Sequence, residues 1–350
     1  MSEDIQQFRE AIRSAAASRK PLRIRGGGTK DFYGARLEGE PLDTRGCSGI
    51  LEYEPTELII TARAGTPLAE LEAALAANNQ MLAFEPPHFG PRTTFGGCIA
   101  SGFSGPRRAY AGSARDFVLG VRVLDAEGED LRFGGQVMKN VAGYDLSRLM
   151  TGSFGTLGLI LEISVKVLPR PEIERTLSFR MNEAQAIEAM NRWAGLPFPL
   201  SATCFLDGTL HVRLSGSASG VEAAQHKLGG DPLAGDAAFW RSLRDQSHPF
   251  FRREPPLWRF SVKSSSAPLE FGPTLIEWGG ALRWVSANID AGRAHEAAAR
   301  CSGHATLFRA REKPDGIQRL SPELLALHKK LKKALDPNGI FGRGRLHPEF

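Results

Sequence analysis

Glycines cluster in the first half of the sequence in a pattern that suits contact between the backbone and an anionic ligand. The first cluster comprises Arg25, Gly26, Gly27, Gly28, Thr29 and Lys30. Consecutive glycines let successive backbone amides point into one concavity, and the flanking cations add positive charge. We expect that a side chain at Gly27 would stand where the anion must approach. Taken alone, the cluster is equally compatible with a plain glycine turn.

Two further segments are rich in glycine and other small residues. Residues 94–105 read TFGGCIASGFSG, and residues 152–160 read GSFGTLGLI and lead into a β-type stretch. Small residues allow the backbone to lie flat against a ligand. Two glycine loops and a small-residue loop can hold a diphosphate and leave room for a planar ring. The three segments together therefore favour a dinucleotide ligand.

The elements that must position these loops are a mixture of helices and strands. The hydrophobic pattern predicts an amphipathic helix over residues 5–19, a strand over residues 22–25, and hairpins over residues 118–133 and 204–214. Because strands and helices do not alternate strictly, the pattern favours an α+β fold over a doubly wound parallel sheet.

A pair of prolines divides the sequence. Pro169 and Pro171 end a long β-type run, which predicts a domain boundary at this point. The predicted parts are a first domain over residues 1–170, a second α+β domain over residues 171–335 and a C-terminal tail over residues 336–350. The tail contains Phe341, Leu346 and Phe350 and is too apolar to lie free in water. We therefore expect it to return to the first domain or its cleft.

The last predicted helix, from Ser321 to about Leu335, combines a leucine stripe with a cluster of lysines. The pattern predicts that the leucines face inward and the lysines outward. The lysines are Lys329, Lys330, Lys332 and Lys333. We interpret them as a solvated face, with docking to an acidic partner surface as the alternative.

The composition is that of a folded protein and excludes several classes of function. The chain has 350 residues, of which 42% are hydrophobic and 24% charged, and its net charge of +5 gives no argument for nucleic-acid binding. It has no apolar stretch of membrane-spanning length and no signal sequence at its N-terminus, so we expect a cytoplasmic protein. The four cysteines are far apart, which disfavours structural zinc, an iron–sulfur cluster and a disulfide framework.

The order and spacing of four stretches resemble the FAD-binding domain of the vanillyl-alcohol-oxidase type, the PCMH-type flavoprotein family. The stretches are RIRGGGTK, TFGGCIASGFSG, GSARDFVLGVRVLDAEG and KNVAGYDLSRLMTGSFGTLGLILEISVKVLP. The later stretches LWRFSV, EWGGALRWV, SGHATLFR and DPNGIFGRGRLHPEF narrow the resemblance to FAD-binding subunits of bacterial glycolate oxidases, over nearly the whole chain. The resemblance implies a two-domain α+β PCMH-type fold that binds FAD.

The resemblance also implies which residues contact FAD. The first loop would contact the pyrophosphate, the second the pyrophosphate and flavin ring, and residues 140–160 the adenosine side and flavin edge. The implied cofactor-binding residues are Arg25, Gly26, Gly27, Gly28, Thr29, Lys30, Thr94, Gly96, Gly97, Ala100, Ser101, Gly102, Asn140, Gly143, Tyr144, Gly155 and Ile160. For Asn140, Tyr144 and Asp145, helix or turn capping is the alternative.

We expect the FAD to be bound non-covalently. In this superfamily a histidine or cysteine near these loops forms the covalent link to flavin. Thr29 and Lys30 stand where the histidine would be needed, and Cys98 is expected to be a small buried packing residue.

The sequence lacks the substrate motifs of the related 2-hydroxyacid dehydrogenases. Those enzymes, which the companion subunit of this family resembles, carry a histidine-rich metal and substrate site with GDGNxH and EHG motifs. Neither motif occurs here, and the eight histidines are scattered singly, so no metal site is predicted and the catalytic residues stay unassigned. Arg259, as a carboxylate anchor, and His304, as a base, are the candidate substrate residues.

The implied function is that of an FAD-binding subunit in a complex that oxidises glycolate to glyoxylate. The implied partners are a catalytic flavoprotein subunit and an iron–sulfur subunit, and association with a membrane through that complex stays open. One alternative is a stand-alone FAD-dependent 2-hydroxyacid oxidoreductase, and another is a non-catalytic flavin-fold scaffold. If substrate chemistry lies on the companion subunit, the isolated chain should oxidise glycolate slowly or not at all.

Overall fold

Most strands lie in two antiparallel sheets, one formed before Pro169 and one after it. The computed structural model describes residues 3–35, 38–135, 145–254, 256–312 and 320–350. In these ranges the helices are α1 (Glu3–Ser18), α2 (Leu68–Ala77), α3 (Phe95–Ser101), α4 (Arg108–Ala111), α5 (Ala114–Phe117), α6 (Leu146–Leu149), α7 (Glu183–Ala194), α8 (Ala218–Leu228), α9 (Asp236–Arg244), α10 (Ala291–Arg300) and α11 (Pro322–Leu335), with 3-10 turns at Pro249–Arg252 and Trp278–Gly280. The strands are β1 (Leu22–Arg25), β2 (Glu40–Asp43), β3 (Ile50–Glu54), β4 (Ile59–Arg63), β5 (Gln80–Met81), β6 (Val118–Leu124), β7 (Asp130–Gly134), β8 (Leu159–Lys166), β9 (Leu168–Pro169), β10 (Ile173–Arg180), β11 (Leu200–Leu206), β12 (Thr209–Gly216), β13 (Asp231–Pro232), β14 (Leu257–Ser261), β15 (Thr274–Glu277), β16 (Leu282–Ser286) and β17 (His304–Arg309).

The first sheet has five antiparallel strands in the order β3-β4-β8-β6-β7. Alternation along β8 sends Ile160 to one face and Leu161 to the other. Helices α2 and α3 pack on the Ile160 face, and α1 packs on the Leu161 face with Ile5 and Ile12. The sheet therefore has a hydrophobic core on both sides.

A short parallel pair, β1 with β2, holds the first glycine loop. The loop begins directly after Arg25, the last residue of β1. Two residues of the C-terminal tail flank β1: the Leu22 amide donates to the Ile340 carbonyl (2.6 Å), and the Gly342 amide donates to the Leu22 carbonyl (3.1 Å). Ile340 and Phe341 are fully buried against α1. The tail therefore returns to the part of the chain that holds this loop.

The second sheet has eight antiparallel strands in the order β13-β10-β12-β11-β15-β16-β14-β17. Helices α7, α8 and α10 cover one face. The other face, with Leu257, Trp284 and Phe308, packs with Tyr33 and Phe103 from the first half of the chain. These aromatic contacts join the two sheets and bring β14, β15 and β16 close to the glycine-rich loops.

Helix α11 contradicts one prediction from the sequence. Lys332 was expected to face outward, but its side chain is 7% exposed, whereas Leu324 and Leu327 are 48% and 60% exposed. The helix turns its Leu331 and Leu335 side toward the core of the five-stranded sheet, and Lys332 lies on that side. The division at residue 335 stays a prediction, and these contacts favour grouping the end of α11 with the first domain.

Candidate functional site

The first two glycine-rich segments meet in a cleft of about 80 Å³, which we call the glycine cleft. Its lining combines Ile24 to Asp31 with Thr94, Gly97, Ala100, Ser101, Phe154 and Arg345. The end of β1 supplies the first group, α3 with its N-cap Thr94 supplies the second, and the tail supplies Arg345. The structure thus brings together ten of the residues predicted to contact FAD, from two loops that lie far apart in the sequence, and it adds Arg345 from the other end of the chain.

The donors of the glycine cleft suit a diphosphate. Within the described residues, the backbone amides of Gly27, Gly28, Thr29 and Lys30 have no hydrogen-bond acceptor. Lys30 is 8% exposed and pairs with no described carboxylate, and burial lowers the pKa of its ammonium group. A buried cation beside unpartnered amides is costly unless an anion compensates it. These residues therefore fit a bound diphosphate.

Arg345 is the cation of this cleft that sequence reasoning missed. It is 8% exposed, its Nη2 donates to the Lys30 carbonyl (3.1 Å), and its Nε has no partner in the described structure. Burial lowers the pKa of its guanidinium to about 10. Arg25 has a different role, since its Nε donates to Asp31 Oδ2 (2.9 Å), which also lines the cleft. The signal that could have found Arg345 was the predicted return of the apolar C-terminal tail to the first domain or its cleft.

Two glycines of these loops are required by the protein itself. A Cβ atom at Gly27 would lie 1.5 Å from the Arg92 carbonyl oxygen, so any side chain there would collide with backbone rather than with a ligand. The expectation that a side chain at Gly27 would stand where the anion must approach is therefore wrong, whereas contact of the Gly27 backbone with FAD stays a prediction. At Gly96 a Cβ atom would lie 2.6 Å from Ala64 Cβ, and the Gly96 amide donates to the Ala64 carbonyl (2.7 Å). Gly96 thus allows α3 to pack closely on the chain after β4.

The remaining residues predicted to contact FAD lie at different positions relative to the glycine cleft. Gly102, in a left-handed conformation (φ 64°), ends α3 beside a second cleft. Gly155 (φ 72°) packs near Ile24. Ile160 is 6% exposed within the core of the five-stranded sheet and lines neither cleft. Asn140, Gly143 and Tyr144 lie outside the described residues. Asp145 caps α6, since its side chain accepts from the Arg148 amide (3.0 Å).

A second cleft, of about 220 Å³, lies between the second sheet and the loops that follow α3. We call it the tryptophan cleft, because Trp278 and Trp284 line it. Ser101 lines both clefts, so they adjoin at the end of α3. A ligand held in the glycine cleft can therefore extend toward the tryptophan cleft.

Arg259, the predicted carboxylate anchor, lines the tryptophan cleft. On β14 it lies opposite Trp284 of β16 and Thr306 of β17, with its guanidinium 5.3 Å from the Trp278 ring centroid. No described side chain forms an ion pair or a hydrogen bond with it. His304, the predicted base, lies opposite Ser261 at the start of β17 and does not line this cleft. Burial lowers the pKa of His304, and the nearby charge of Arg259 lowers it further, although of the two only Arg259 lines this cleft.

Glu277 is the titratable residue of the tryptophan cleft that sequence reasoning missed. It is 4% exposed, and its Oε2 accepts a hydrogen bond from Trp284 Nε1 (2.9 Å). Burial raises the pKa of its carboxyl group to about 7. A buried carboxyl group that titrates near neutrality can hold or accept a proton at the cleft wall. Its sequence context, EWGG, gave no sign of this position.

The other candidate attachment and metal sites can be placed as well. Cys98 is 1% exposed in α3, and burial raises the pKa of its thiol to about 12. It therefore packs inside the first core, as the sequence predicted. In the described part of the chain, no three histidine, cysteine or acidic side chains come together as a metal site.

Comparison with known proteins agrees with this geometry. A family model described as an FAD binding domain matches residues 2–134. The chain is 46% identical to the glycolate oxidase subunit GlcE of Escherichia coli over 346 residues, covering 99% of this chain and 98% of that protein. It is 40% identical to the glycolate oxidase subunit GlcD of Bacillus subtilis and 36% identical to a D-lactate dehydrogenase of Archaeoglobus fulgidus, but covers only 27% and 34% of their lengths.

A solved structure shows the same fold. Alkyldihydroxyacetonephosphate synthase superposes with a TM-score of 0.65 at 15% identity, over 96% of this chain and 73% of that one. The fold is therefore α+β and of the PCMH type, as predicted, and the cofactor of the matched domain is FAD. The chain belongs to the family of FAD-binding oxidoreductases that includes the glycolate oxidase subunit GlcE.

Proposed function

We propose that this chain is the FAD-binding subunit of a complex that oxidises glycolate to glyoxylate. The observation that carries the proposal is the glycine cleft, where backbone amides without acceptors and two buried cations can bind an anion. The chain that forms this cleft is 46% identical to GlcE. When bound, FAD supplies an acceptor for the hydride of a hydroxy acid. Substrate chemistry is assigned to a companion flavoprotein subunit, because the GDGNxH and EHG motifs are absent here.

In this proposal the residues of the glycine cleft hold the diphosphate. The amides of Gly27 to Lys30 donate to phosphate oxygens, and Lys30 and Arg345 neutralise the charge. The contact between Arg345 Nη2 and the Lys30 carbonyl keeps the loop in this shape. Ser101 lies where the glycine cleft meets the tryptophan cleft and so marks the direction in which the rest of the ligand extends.

The partners in this proposal are the catalytic flavoprotein subunit and an iron–sulfur subunit. The names GlcE and GlcD imply a glycolate oxidase of several subunits. The cysteines Cys47, Cys98, Cys204 and Cys301 lack ferredoxin-like spacing, which supports an iron–sulfur centre on another chain. No helix in the described ranges is long and apolar enough to cross a membrane.

The purified chain should carry FAD that acid precipitation releases. The physical reason is that Cys98 is buried with a raised pKa, while the first loop offers Thr29 and Lys30 rather than a histidine. The measurement is the flavin absorbance of the supernatant and of the washed pellet after acid treatment. Flavin that stays on the pellet would contradict non-covalent binding, and a colourless chain that FAD cannot reconstitute would remove the cofactor from the proposal.

The isolated chain should be reduced by glycolate much more slowly than the complex. Loss of a well-placed base costs about 10²–10⁴-fold in rate, and His304 does not line the tryptophan cleft. The measurement is anaerobic flavin bleaching by glycolate, in the single chain and in the complex captured on a tagged copy of this chain. Mass spectrometry of the captured complex should identify a second flavoprotein and an iron–sulfur protein, and their absence would contradict the assigned partners.

A second candidate function, a stand-alone 2-hydroxyacid oxidoreductase, is favoured by one observation. Arg259 and Glu277 line the same cleft, and together they offer a carboxylate anchor and a proton acceptor. Rapid bleaching of the isolated chain that disappears in Glu277→Gln would establish this candidate instead. Slow bleaching of both the isolated wild-type chain and the Glu277→Gln variant supports the subunit role.

A further inference from the structure

The guanidinium of Arg259 lies in the wall of the tryptophan cleft without an anionic partner. Its carbon lies 5.3 Å from the ring centroid of Trp278 and 5.9 Å from that of Trp284. No described carboxylate lies within ion-pairing distance of it. Two indole faces hold the cation in place but do not neutralise its charge. The hydrogen-bond donors of Arg259 are therefore available to a ligand in the cleft.

Trp278 adopts a backbone conformation that is unfavourable for a large side chain. Its φ is 54°, and the next two residues, Gly279 and Gly280, also have positive φ, of 66° and 103°. A bulky residue in the left-handed region costs free energy and is retained where its surroundings require it. Here the Trp278 Nε1 donates to the Gly105 carbonyl (3.0 Å), and the Arg108 guanidinium lies 4.3 Å from the ring centroid. The strained turn thus holds the Trp278 ring, which forms one wall of the cleft, between Arg108 and Arg259.

The cleft carries an excess of positive charge. Arg108, Arg115, Arg244 and Arg259 line it, and Glu277 is the acidic residue in its lining. Arg244 is neutralised by Asp245 (2.9 Å), whereas the other three have no ion pair with a described carboxylate. The volume of about 220 Å³ suits a small molecule. A small anion is therefore the ligand that this charge and size select.

We propose that the tryptophan cleft of this chain is a binding site for a small monocarboxylate, with Arg259 as its anchor and Glu277 as the adjacent group whose protonation favours binding. An arginine fork matches a carboxylate with two parallel hydrogen bonds. Glycolate is the probe of choice, a choice that rests on the proposed function. The site itself rests on Arg259, Trp278 and Glu277 and does not require turnover on this chain.

Protonation of Glu277 should control the affinity of the site. Titratable or charged groups face Glu277 from both halves of the chain, namely Glu85, Arg108, Cys204, Arg213, Arg244 and Arg259. Burial raises the pKa of Glu277 to about 7, so the carboxyl group is largely neutral below that pH and ionised above it. An ionised Glu277 repels a bound carboxylate. A shift of about one pKa unit on binding corresponds to about tenfold weaker binding above pH 7 than below it.

The test is calorimetric titration of the full-length, flavin-containing chain with glycolate under anaerobic conditions, at about pH 6 and pH 8. Wild type should bind glycolate saturably, and the neutral analogue glycolamide should bind poorly. Arg259→Met should weaken glycolate binding by at least about tenfold, the loss expected for one charge-assisted interaction. The matched control is Arg311→Met, at an arginine side chain that is 87% exposed. Glu277→Gln should keep binding and lose its pH dependence.

The outcomes separate this site from the cofactor. Lost glycolate binding with normal FAD content in Arg259→Met supports the proposal. Unchanged glycolate binding in that variant, absence of binding in wild type, or loss of FAD together with glycolate binding would overturn it, the last by assigning Arg259 to the flavin. If Arg259→Met does not fold, two other measurements decide. Weaker glycolate binding by Arg259→Lys, and a pH dependence of binding that wild type shows and Glu277→Gln lacks, support the proposal. The absence of both effects would overturn it. Failure of the proposed function would show instead as missing FAD or missing partners.

Discussion

Replacing Lys332 by methionine is expected to destabilise the protein by about 3–5 kcal/mol, the cost of leaving one member of a buried ion pair without its partner. The Lys332 ammonium donates to the carbonyl oxygens of Thr156 and Phe341 (2.7 Å each) and to Asp336 Oδ2 (2.6 Å). Asp336 in turn accepts hydrogen bonds from the Ile340 and Phe341 amides (2.9 and 2.8 Å). Without the ammonium, a carboxylate that is 2% exposed loses its counter-charge. The measurement is the thermal midpoint and the urea midpoint of the purified chain.

The matched control for this variant is Lys333→Met, which changes the exposed neighbouring lysine in the same way. An exposed substitution of this kind should change stability by less than about 0.5 kcal/mol. Lys332→Met should also lose FAD, because the same tail carries Arg345 to the glycine cleft. Equal midpoints for the two lysine variants would show that the buried network does not hold the tail.

Replacing Lys30 by methionine is expected to weaken FAD binding by about 10–150-fold, the equivalent of about 1.5–3 kcal/mol for a hydrogen bond to a charged group. The flavin-free protein should respond in the opposite direction. Lys30 is buried without a described carboxylate partner, and burial lowers the pKa of its ammonium, so its charge is a cost when no anion is bound. A methionine removes that cost. The measurements are the FAD dissociation constant and the thermal midpoint of the flavin-free chain.

Lys30→Met should lower the FAD affinity and raise the thermal midpoint of the flavin-free chain, and these opposite effects distinguish a role in anion binding from a role in packing. If Lys30 mainly supported the loop, both the affinity and the flavin-free midpoint would fall together, and that result would contradict the diphosphate assignment. Lys20→Met, at an exposed lysine just before β1, is the matched control and should change neither quantity. Gly27→Val is unsuitable for this purpose, because its Cβ atom would collide with the Arg92 carbonyl oxygen at 1.5 Å whether or not FAD is bound.

Local sequence patterns predicted the elements that depend on neighbouring residues. The apolar stripe of Ile5, Phe8 and Ile12 predicted a helix over residues 5–19, and α1 spans Glu3–Ser18. The hairpins were predicted from alternating residues and a turn, and Cys204 does pair with His211 across that turn. Such patterns suffice because helix and strand periodicity expresses which face is buried. The FAD-binding, PCMH-type fold followed from the resemblance of whole motifs in their order and spacing.

Contacts between distant segments could not be predicted in this way. Glu277 owes its raised pKa to burial between the sheet and the loops, and Trp284 reaches it only because β15 and β16 pair. Lys332 was expected at the surface because lysine usually is, but the folded chain supplies three acceptors, namely Asp336 and Phe341 of the tail and Thr156 of the loop before β8. Ile160 was predicted to contact FAD, but its side chain lies in the core of the five-stranded sheet. Alternation along a strand shows which residues share a face, and it does not show whether that face contacts the core or a ligand.

The contact between Arg345 and Lys30 joins residues 315 positions apart, and this separation has a consequence for biosynthesis. During translation the glycine loop leaves the ribosome long before Arg345 has been made. At about 5–20 residues per second, the delay over 315 residues is about 16–63 s. For that time the glycine loop of the nascent chain lacks one of the two buried cations of the glycine cleft. If the glycine cleft binds the FAD diphosphate as proposed, firm binding of FAD is therefore a late event in folding and requires that the two ends of the chain have met.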